Sequence, residues 1–520
     1  MGSFLRENRT IIAIAHVAKA IANLENNVMT PDKDQPSTEP NTQSIHRPSG
    51  GFSGRAFDPR LLQGPIPRSL FLLAFPIMGG NILQIAYQLV DAFWVGRLGA
   101  AAVASVSVSM PLMFLMMSIG MGFTIAGSTL IAQYVGARNR EMVDHVAGQT
   151  LLTVVFVSLV LGLLGYVIAP YLLELMDVEP EVYRNALGFL RVQFLSLPFA
   201  FAYFCFQSQM RGVGQVTIPL YIIGGTVLVN FFVNPLLIFG FHLGVLGSAL
   251  ATMSSQFISA VIAITLLASG RYGIRLKLLE LRPDFRFVLR AFNLGYPAAI
   301  EGSARGLGVT VMMFLITSFG TVTTASYGVG GNVLQFVVIP AMGFSMATST
   351  LVGQNIGAGN IHRAEAVARL AALITFSVMS SFGVFAFIFA NHIAAFFVPH
   401  DKAVIHEASV FIRTVSWSFG FIGVQFALMG VLRASGNMFA AMVISLMSQW
   451  MLTFPLAYVL SQRAHLGAHG MWWAFPIANV ITAMVSFIWF SRGDWKKRRI
   501  IEPVTVEEEE AEEVSEQVMV

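Results

Sequence analysis

The 520-residue sequence contains one cysteine, and only 12% of its residues are charged. The lone thiol, Cys205, excludes an intrachain disulfide and any cysteine-based metal site; it lies in an apolar run and reads as a packing residue. A soluble domain is usually about one quarter charged, so this scarcity of charge excludes a water-soluble globule. The sequence also lacks a G-x-x-x-x-G-K-[ST] phosphate loop and any polar region large enough for an ATPase domain. His145, His242, His400 and His469 sit in loops or tails without metal-ligand spacing, and in no motif do a nucleophile, a base and an orienting group converge. An enzyme, a firm metal centre, a cofactor and ATP-driven work are therefore not expected.

What is abundant is apolar surface. Hydrophobic residues make up 55% of the chain and the mean hydropathy is +0.68. Runs long enough to cross a bilayer, about 20 residues each, recur between residues 68 and 491. In hydrocarbon every backbone polar group must be bonded internally, so runs rich in Leu, Ala and Met must be helices and not barrel strands. Loop residues divide them into twelve spans near 68–95, 104–133, 147–171, 185–212, 217–240, 246–269, 287–320, 324–353, 366–398, 405–432, 438–461 and 468–491.

Charge placement sets the expected topology. With the N-terminus in the cytoplasm, the inside loops collect Arg138, Arg140, Arg211, Arg271, Arg275, Lys277, Arg282, Arg286, Arg290, Arg363, Arg433 and the basic run 496–499. The outside loops hold little beyond Arg97, Lys402 and Arg463. This asymmetry predicts both termini inside, and it accounts for the net charge of +4 without a nucleic-acid partner. Residues 1–64 are expected to form a cytoplasmic, largely disordered extension. Within it, 11–24 is too short and too interrupted to span and lacks signal-peptide flanks; Arg6 stands where a myristoylation signal needs Ser or Thr. Residues 493–520 are expected to be a solvated, acidic cytoplasmic tail.

The chain repeats itself. Leu130-Ile-Ala-Gln-Tyr-Val-Gly-Ala-Arg-Asn139 is echoed by Leu351-Val-Gly-Gln-Asn-Ile-Gly-Ala-Gly-Asn360, at an offset of 221 residues. Pro76 recurs as Pro297, Arg211 as Arg433 and Pro235 as Pro455. An offset of six spans keeps equivalent helices in one orientation. The expected fold is an all-α integral membrane protein of twelve transmembrane helices, in two six-helix lobes related by a pseudo-two-fold axis along the membrane normal. The N-lobe covers 65–270, a cytoplasmic linker 271–286, and the C-lobe 287–492. Repeats of this kind place a substrate path between lobes that rock against each other.

Polar residues inside the spans mark that path. Asn81, Gln84, Gln88 and Asp91 are spaced three, four and three apart, one stripe along the first span. A carboxylate in an apolar helix is expensive and usually faces a polar cavity, which makes Asp91 the leading candidate; proximity to Arg97 and the outer interface is the plainer alternative. Glu301, eleven residues after Arg290 and so about 16 Å along its helix, is a second candidate acid, although Arg305 one turn later offers it a purely structural ion pair. Met110, Met113, Met117 and Met121 form a stripe on the second span that suits substrates of many shapes, or simply packs. Tyr87, Phe201, Tyr203 and Phe336 could stack on planar cations or pack. Asn332 and Gln335 are polar groups in an apolar helix. The candidate substrate cavity is Gln84, Gln88, Met117, Tyr203, Asn332 and Gln335.

Taken in order, Val90-Asp-Ala-Phe-Trp-Val-Gly96 with Leu98-Gly99 and Ala104, the segment 133–139, Arg211-Gly-Val-Gly214, Asn230 with Asn234-Pro235 and the run to Gly240, and Gly244-Val-Leu-Gly247 to Thr252 resemble the multidrug and toxic compound extrusion (MATE) pattern. The likeness extends over roughly residues 65–492 and is nearer the DinF-like branch. It implies a monomer in the plasma membrane (the inner membrane in a bacterium) that exports bulky, often cationic organic compounds in exchange for protons or sodium. Matched position by position, Asp91 corresponds to the first-helix acid, Asn230 to the helix-five asparagine and Thr252 to the helix-six hydroxyl. Asn234 departs from the Asp of many relatives, and the helix-ten acid of the NorM-like branch has no counterpart in 408–432.

Desolvation disfavours the charged form of a carboxyl, so Asp91 alone could take up a proton outside and release it inside. A sodium ion needs several oxygens, which Asp91, Asn230, Thr252 and Asn234 could offer, but Asn in place of Asp at 234 removes one negative charge. Protons are the expected coupling ion, and sodium at Asp91, Asn230 and Thr252 the alternative. A flippase for lipid-linked or amphipathic substrates of the wider superfamily is the competing function; little intramembrane Lys or Arg beyond Arg305 weighs against it.

Overall fold

The computed structural model describes residues 60–277, 282–464, 466–496 and 500–501. The expected N-terminal extension up to residue 59 and the tail beyond residue 501 lie outside the described residues, as does the basic run 497–499. Within them, eleven helices are long and apolar enough to cross a membrane: α1 (Ile66–Gly96), α2 (Ala100–Gly136), α3 (Arg140–Leu175), α4 (Pro180–Val213), α5 (Thr217–Gly240), α6 (Gly244–Ser269), α7 (Phe285–Thr317), α8 (Thr321–Gly357), α9 (Ile361–Ile388), α11 (Met438–Arg463) and α12 (Gly467–Arg492). The twelfth, α10, is a broken span of Lys402–Ser416 and Phe419–Ala434, bent by 50°.

Two departures from the expected spans occur, both in the second half. The ninth span ends at Ile388, and the residues expected to continue it form a separate short helix, Ala390–Phe397. The tenth span breaks at Trp417 and Ser418, where the Ser418 hydroxyl and N–H both turn back onto the Val415 carbonyl. The equivalent stretch of α4 runs straight through Pro198.

The repeat extends to the backbone. Gly99 and Gly320 precede α2 and α8 with φ of 105° and 99°, a region costly for any residue with a Cβ. After α2 the left-handed turn position is taken by Arg138 (φ 60°); after α8 it is Gly359 (φ 76°). A π-helical turn, Leu236–Gly240, follows Pro235 in α5, and another, Met447–Thr453, precedes Pro455 in α11. Proline has no N–H to give the helical ladder, and a widened turn absorbs the lost bond.

The segment between the halves is strapped to α3. The Arg275 N–H donates to Asp144 Oδ1 at 2.7 Å, Gln149 Nε2 donates to the Arg282 carbonyl at 2.5 Å, and the Asp284 N–H donates to Gln149 Oε1 at 3.0 Å. Asp284 also caps α7. The Phe287 N–H foremost, then the Arg286 N–H and nearby His145, hold its carboxyl below the usual range.

The halves meet mainly through α2 against α7, α1 against α8, and α2 against α8. Glycines let backbones approach: a Cβ at Gly122 would lie 2.5 Å from the Gly295 carbonyl oxygen. On the side carrying the 271–284 segment, hereafter the linker side, the contact is reciprocal. Gln133 at the end of α2 donates Nε2 to the Ala434 carbonyl at the end of α10 (2.7 Å), and its repeat mate Gln354 on α8 donates to the Gly212 carbonyl on α4 (2.9 Å). Each fully buried glutamine caps a helix C-terminus in the opposite half. One turn on, a Cβ at Gly136 would fall on the Gln354 carbonyl, and one at Gly357 on the Gln133 carbonyl.

Gly357→Val should therefore weaken the linker-side closure by about 1–3 kcal/mol. Spin labels at the exposed, repeat-equivalent positions Glu141 and His362 should report a longer distance in the variant; an unchanged distance distribution contradicts the close approach.

Candidate functional site

Two pairs of side chains, each one helical turn apart, face each other in the first half: Tyr87 and Asp91 on α1, and Asn230 and Asn234 on α5. Thr252 comes from α6. Asn234 Nδ2 donates to Asp91 Oδ1 at 2.7 Å, and Thr252 Oγ1 donates to Asp91 Oδ2 at 3.1 Å. Asn230 Nδ2 donates to the Tyr87 hydroxyl at 3.0 Å, and its Oδ1 faces Asn234 Nδ2 at 3.4 Å. Both asparagines are fully buried, Tyr87 and Thr252 are buried, and Asp91 is half-buried. Among the described residues no basic group pairs with Asp91, so each carboxylate oxygen is held by one neutral donor.

The structure thus places Asp91, Asn230, Asn234 and Thr252 in one cluster and adds Tyr87, whose position four residues before Asp91 is the signal for it. Asn234 turns its nitrogen to the carboxylate, and its Oδ1 is buried without a partner. An aspartate here would set carboxylate against carboxylate, an arrangement that needs a proton or cation between them.

Glu301 on α7 is buried, and its Oε1 accepts from Arg305 Nη2 (3.0 Å), from Arg433 Nη2 at the end of α10 (2.7 Å) and from Ser445 Oγ on α11 (3.0 Å). The pair with Arg305 is therefore one of three bonds. Arg433 is a half-buried member of the bundle and not a free loop charge; in sequence, a guanidinium in a helix's last turn looks the same as one in the loop beyond it.

The cavity candidates divide. Gln84 is half-buried, and Gln88, one turn later on α1, is exposed. Asn332 and Gln335 are exposed on α8. Helices α1 and α8 pack together nearer the linker side, through Leu73, Ala74 and Ile77 against Phe344, Ala347 and Leu351. The polar pairs lie farther along the same two helices, toward the opposite side. Met117 is half-buried against the first half's own core. Tyr203 must be set aside as a cavity residue: it is buried among Tyr134, Phe206 and Met210, and its hydroxyl donates to the Pro219 carbonyl at 3.0 Å. Among the described residues no group of three or more His, Cys, Asp or Glu could hold a metal ion.

This arrangement, with a polar cluster in one half and two repeated halves, has relatives. The MatE family model matches residues 76–236 and 297–459, one copy in each half. "Probable multidrug resistance protein YoeA" of Bacillus subtilis (strain 168) is 30% identical over 441 residues, covering 83% of this chain and 95% of that protein. "Probable multidrug resistance protein NorM" of Thermotoga maritima is 26% identical over 448 residues, covering 85% of this chain and 96% of that protein. Among solved structures, an outward-facing multidrug resistance MATE family transporter superposes with a TM-score of 0.78 at 20% identity, over 86% of this chain and 99% of its own. The chain belongs to the MatE family, the multidrug and toxic compound extrusion transporters.

Proposed function

We propose that this multi-pass membrane protein is a multidrug efflux antiporter, exporting bulky organic compounds, often cationic, in exchange for protons taken up at Asp91. Its relatives are named for multidrug resistance and share nearly its whole length. The observation that carries the coupling role is the neutral setting of Asp91: both its oxygens rest on uncharged donors, Asn234 and Thr252. A charge held this way inside a bundle is inexpensive to neutralise.

The surrounding groups suit both protonation states. The Thr252 hydroxyl donates to a carboxylate and can rotate to accept from a protonated one. The Asn234 amide presents its nitrogen to the ionised acid; turned over, its now unpartnered Oδ1 would accept a proton held on Oδ1 of Asp91. Proton binding would thus rearrange the contacts tying α1 to α5 and α6 and so couple to the placement of α1, which also carries Gln84 and Gln88. For sodium the site is poorer in charge, because Asn234 supplies no second carboxylate beside Asp91.

With both termini in the cytoplasm, the linker side is the cytoplasmic side. The glutamine seal then closes the protein to the cell interior, and the lobes 65–270 and 287–492, joined by 271–286, rock about it as a monomer in the plasma membrane.

Reconstituted vesicles test this. Asp91→Asn should lose gradient-driven efflux of a fluorescent organic cation while remaining folded; full retention refutes the coupling role. A sodium gradient alone should drive the parent poorly, and robust transport without a pH gradient would reverse the ion assignment. Asn234→Asp restores a second carboxylate and should make transport respond to a sodium gradient; an unaltered ion dependence would show that this position does not set it.

A further inference from the structure

A small chamber of about 40 Å³ lies between the halves on the linker side. Its walls are built in repeat-equivalent pairs: Ser128, Thr129 and Arg211 from the first half, Ser349, Thr350 and Arg433 from the second. One arginine from each half therefore lines one small space near the pseudo-two-fold axis, in the same layer as the glutamine seal. Thr350 also spans the halves directly, donating its hydroxyl to the Arg211 carbonyl at 3.2 Å.

The chamber is rich in donors and poor in acceptors. Arg433 is paired with Glu301, but its Nε is buried without a partner. Arg211 has no such carboxylate, because the position equivalent to Glu301 in the first half is Gly80. Among the described residues the Arg211 side chain makes no ion pair or hydrogen bond, and the hydroxyls of Ser128, Thr129 and Ser349 bond no protein group. Glu301 is already shared by Arg305 and Arg433, so Arg211, Arg305, Arg433 and Glu301 together carry a net +2, and an unbalanced charge inside a bundle is expensive.

We propose that this chamber binds one small monovalent anion of chloride size between Arg211 and Arg433, where it stabilises the linker-side-closed state. One such ion offsets part of that charge and supplies the missing acceptor for guanidinium and hydroxyl donors. The volume suffices: a cavity needs only about 10–15 Å³ by this measure to hold one water, so a halide fits. Because each half contributes one arginine, the site exists only while the halves meet on this side. Opening it would divide the arginines between the lobes and release the ion. The inference is independent of the transport reading, since it concerns binding alone.

The test uses the full-length protein purified in detergent and exchanged into gluconate at constant ionic strength. Equilibrium dialysis with radioactive chloride should show saturable binding of one ion per chain, with a matching rise in Tm in chloride or bromide. Arg211→Gln should weaken chloride binding about tenfold or more, the scale of losing a charge-assisted contact. Glu301→Gln, which removes the compensating charge and keeps the shape, should tighten it. Ser349→Ala, the mildest change to the chamber, should weaken it severalfold and serves as the deciding variant if Arg211→Gln does not fold. No saturable binding, binding unaffected by both weakening variants, or a weaker site in Glu301→Gln would each overturn the proposal.

Discussion

A carboxylate held inside a membrane bundle by neutral donors alone is the constraint on which the rest of this structure turns. Asp91 sits on α1, the helix that also packs across to α8 in the other lobe. Its two acceptor oxygens are satisfied from α5 and α6, so its protonation state bears directly on how α1 is held against its own lobe. A basic partner would have fixed the charge permanently, as the two guanidinia fix Glu301. Asp91 and Glu301 therefore stand in opposite electrostatic settings within one repeated scaffold.

The scaffold is symmetric where the lobes must meet and asymmetric where chemistry is needed. Gln133 with Gln354, Gly136 with Gly357, and Arg211 with Arg433 are matched pairs on the linker side. The polar cluster has no such match: Met312 stands opposite Asp91, Trp450 opposite Asn230, Phe454 opposite Asn234 and Phe475 opposite Thr252. Met312 is buried in the second half's apolar core. Symmetry lets one set of contacts close the linker side from both lobes, and its loss confines the polar cluster around Asp91 to one lobe.

Much of this was legible in the sequence, for identifiable reasons. Helices follow from hydrophobic length alone, because hydrocarbon leaves the backbone no other way to satisfy its polar groups. The lobes follow from the 221-residue offset, Asp91 from a charge in an apolar span, and Asn230, Asn234 and Thr252 from the resemblance of their motifs to the MATE pattern. Less legible were features that depend on which way a helix turns or where it stops. Tyr203 looked equally able to face a cavity or a core, and only packing assigns it to the core. Arg433 looked like a topological charge, since membership of the last helical turn is invisible to a charge count. The break in α10 leaves no Pro-Gly signature at Trp417 and Ser418.

The central claim is that Asp91 exchanges a proton when substrate binds. Calorimetric titration of the purified protein with a transported organic cation, repeated in buffers of different ionisation enthalpy, counts the protons released per binding event. The account predicts net proton release in the parent that disappears in Asp91→Asn. Equal proton release in the two proteins, or none in the parent, would contradict it.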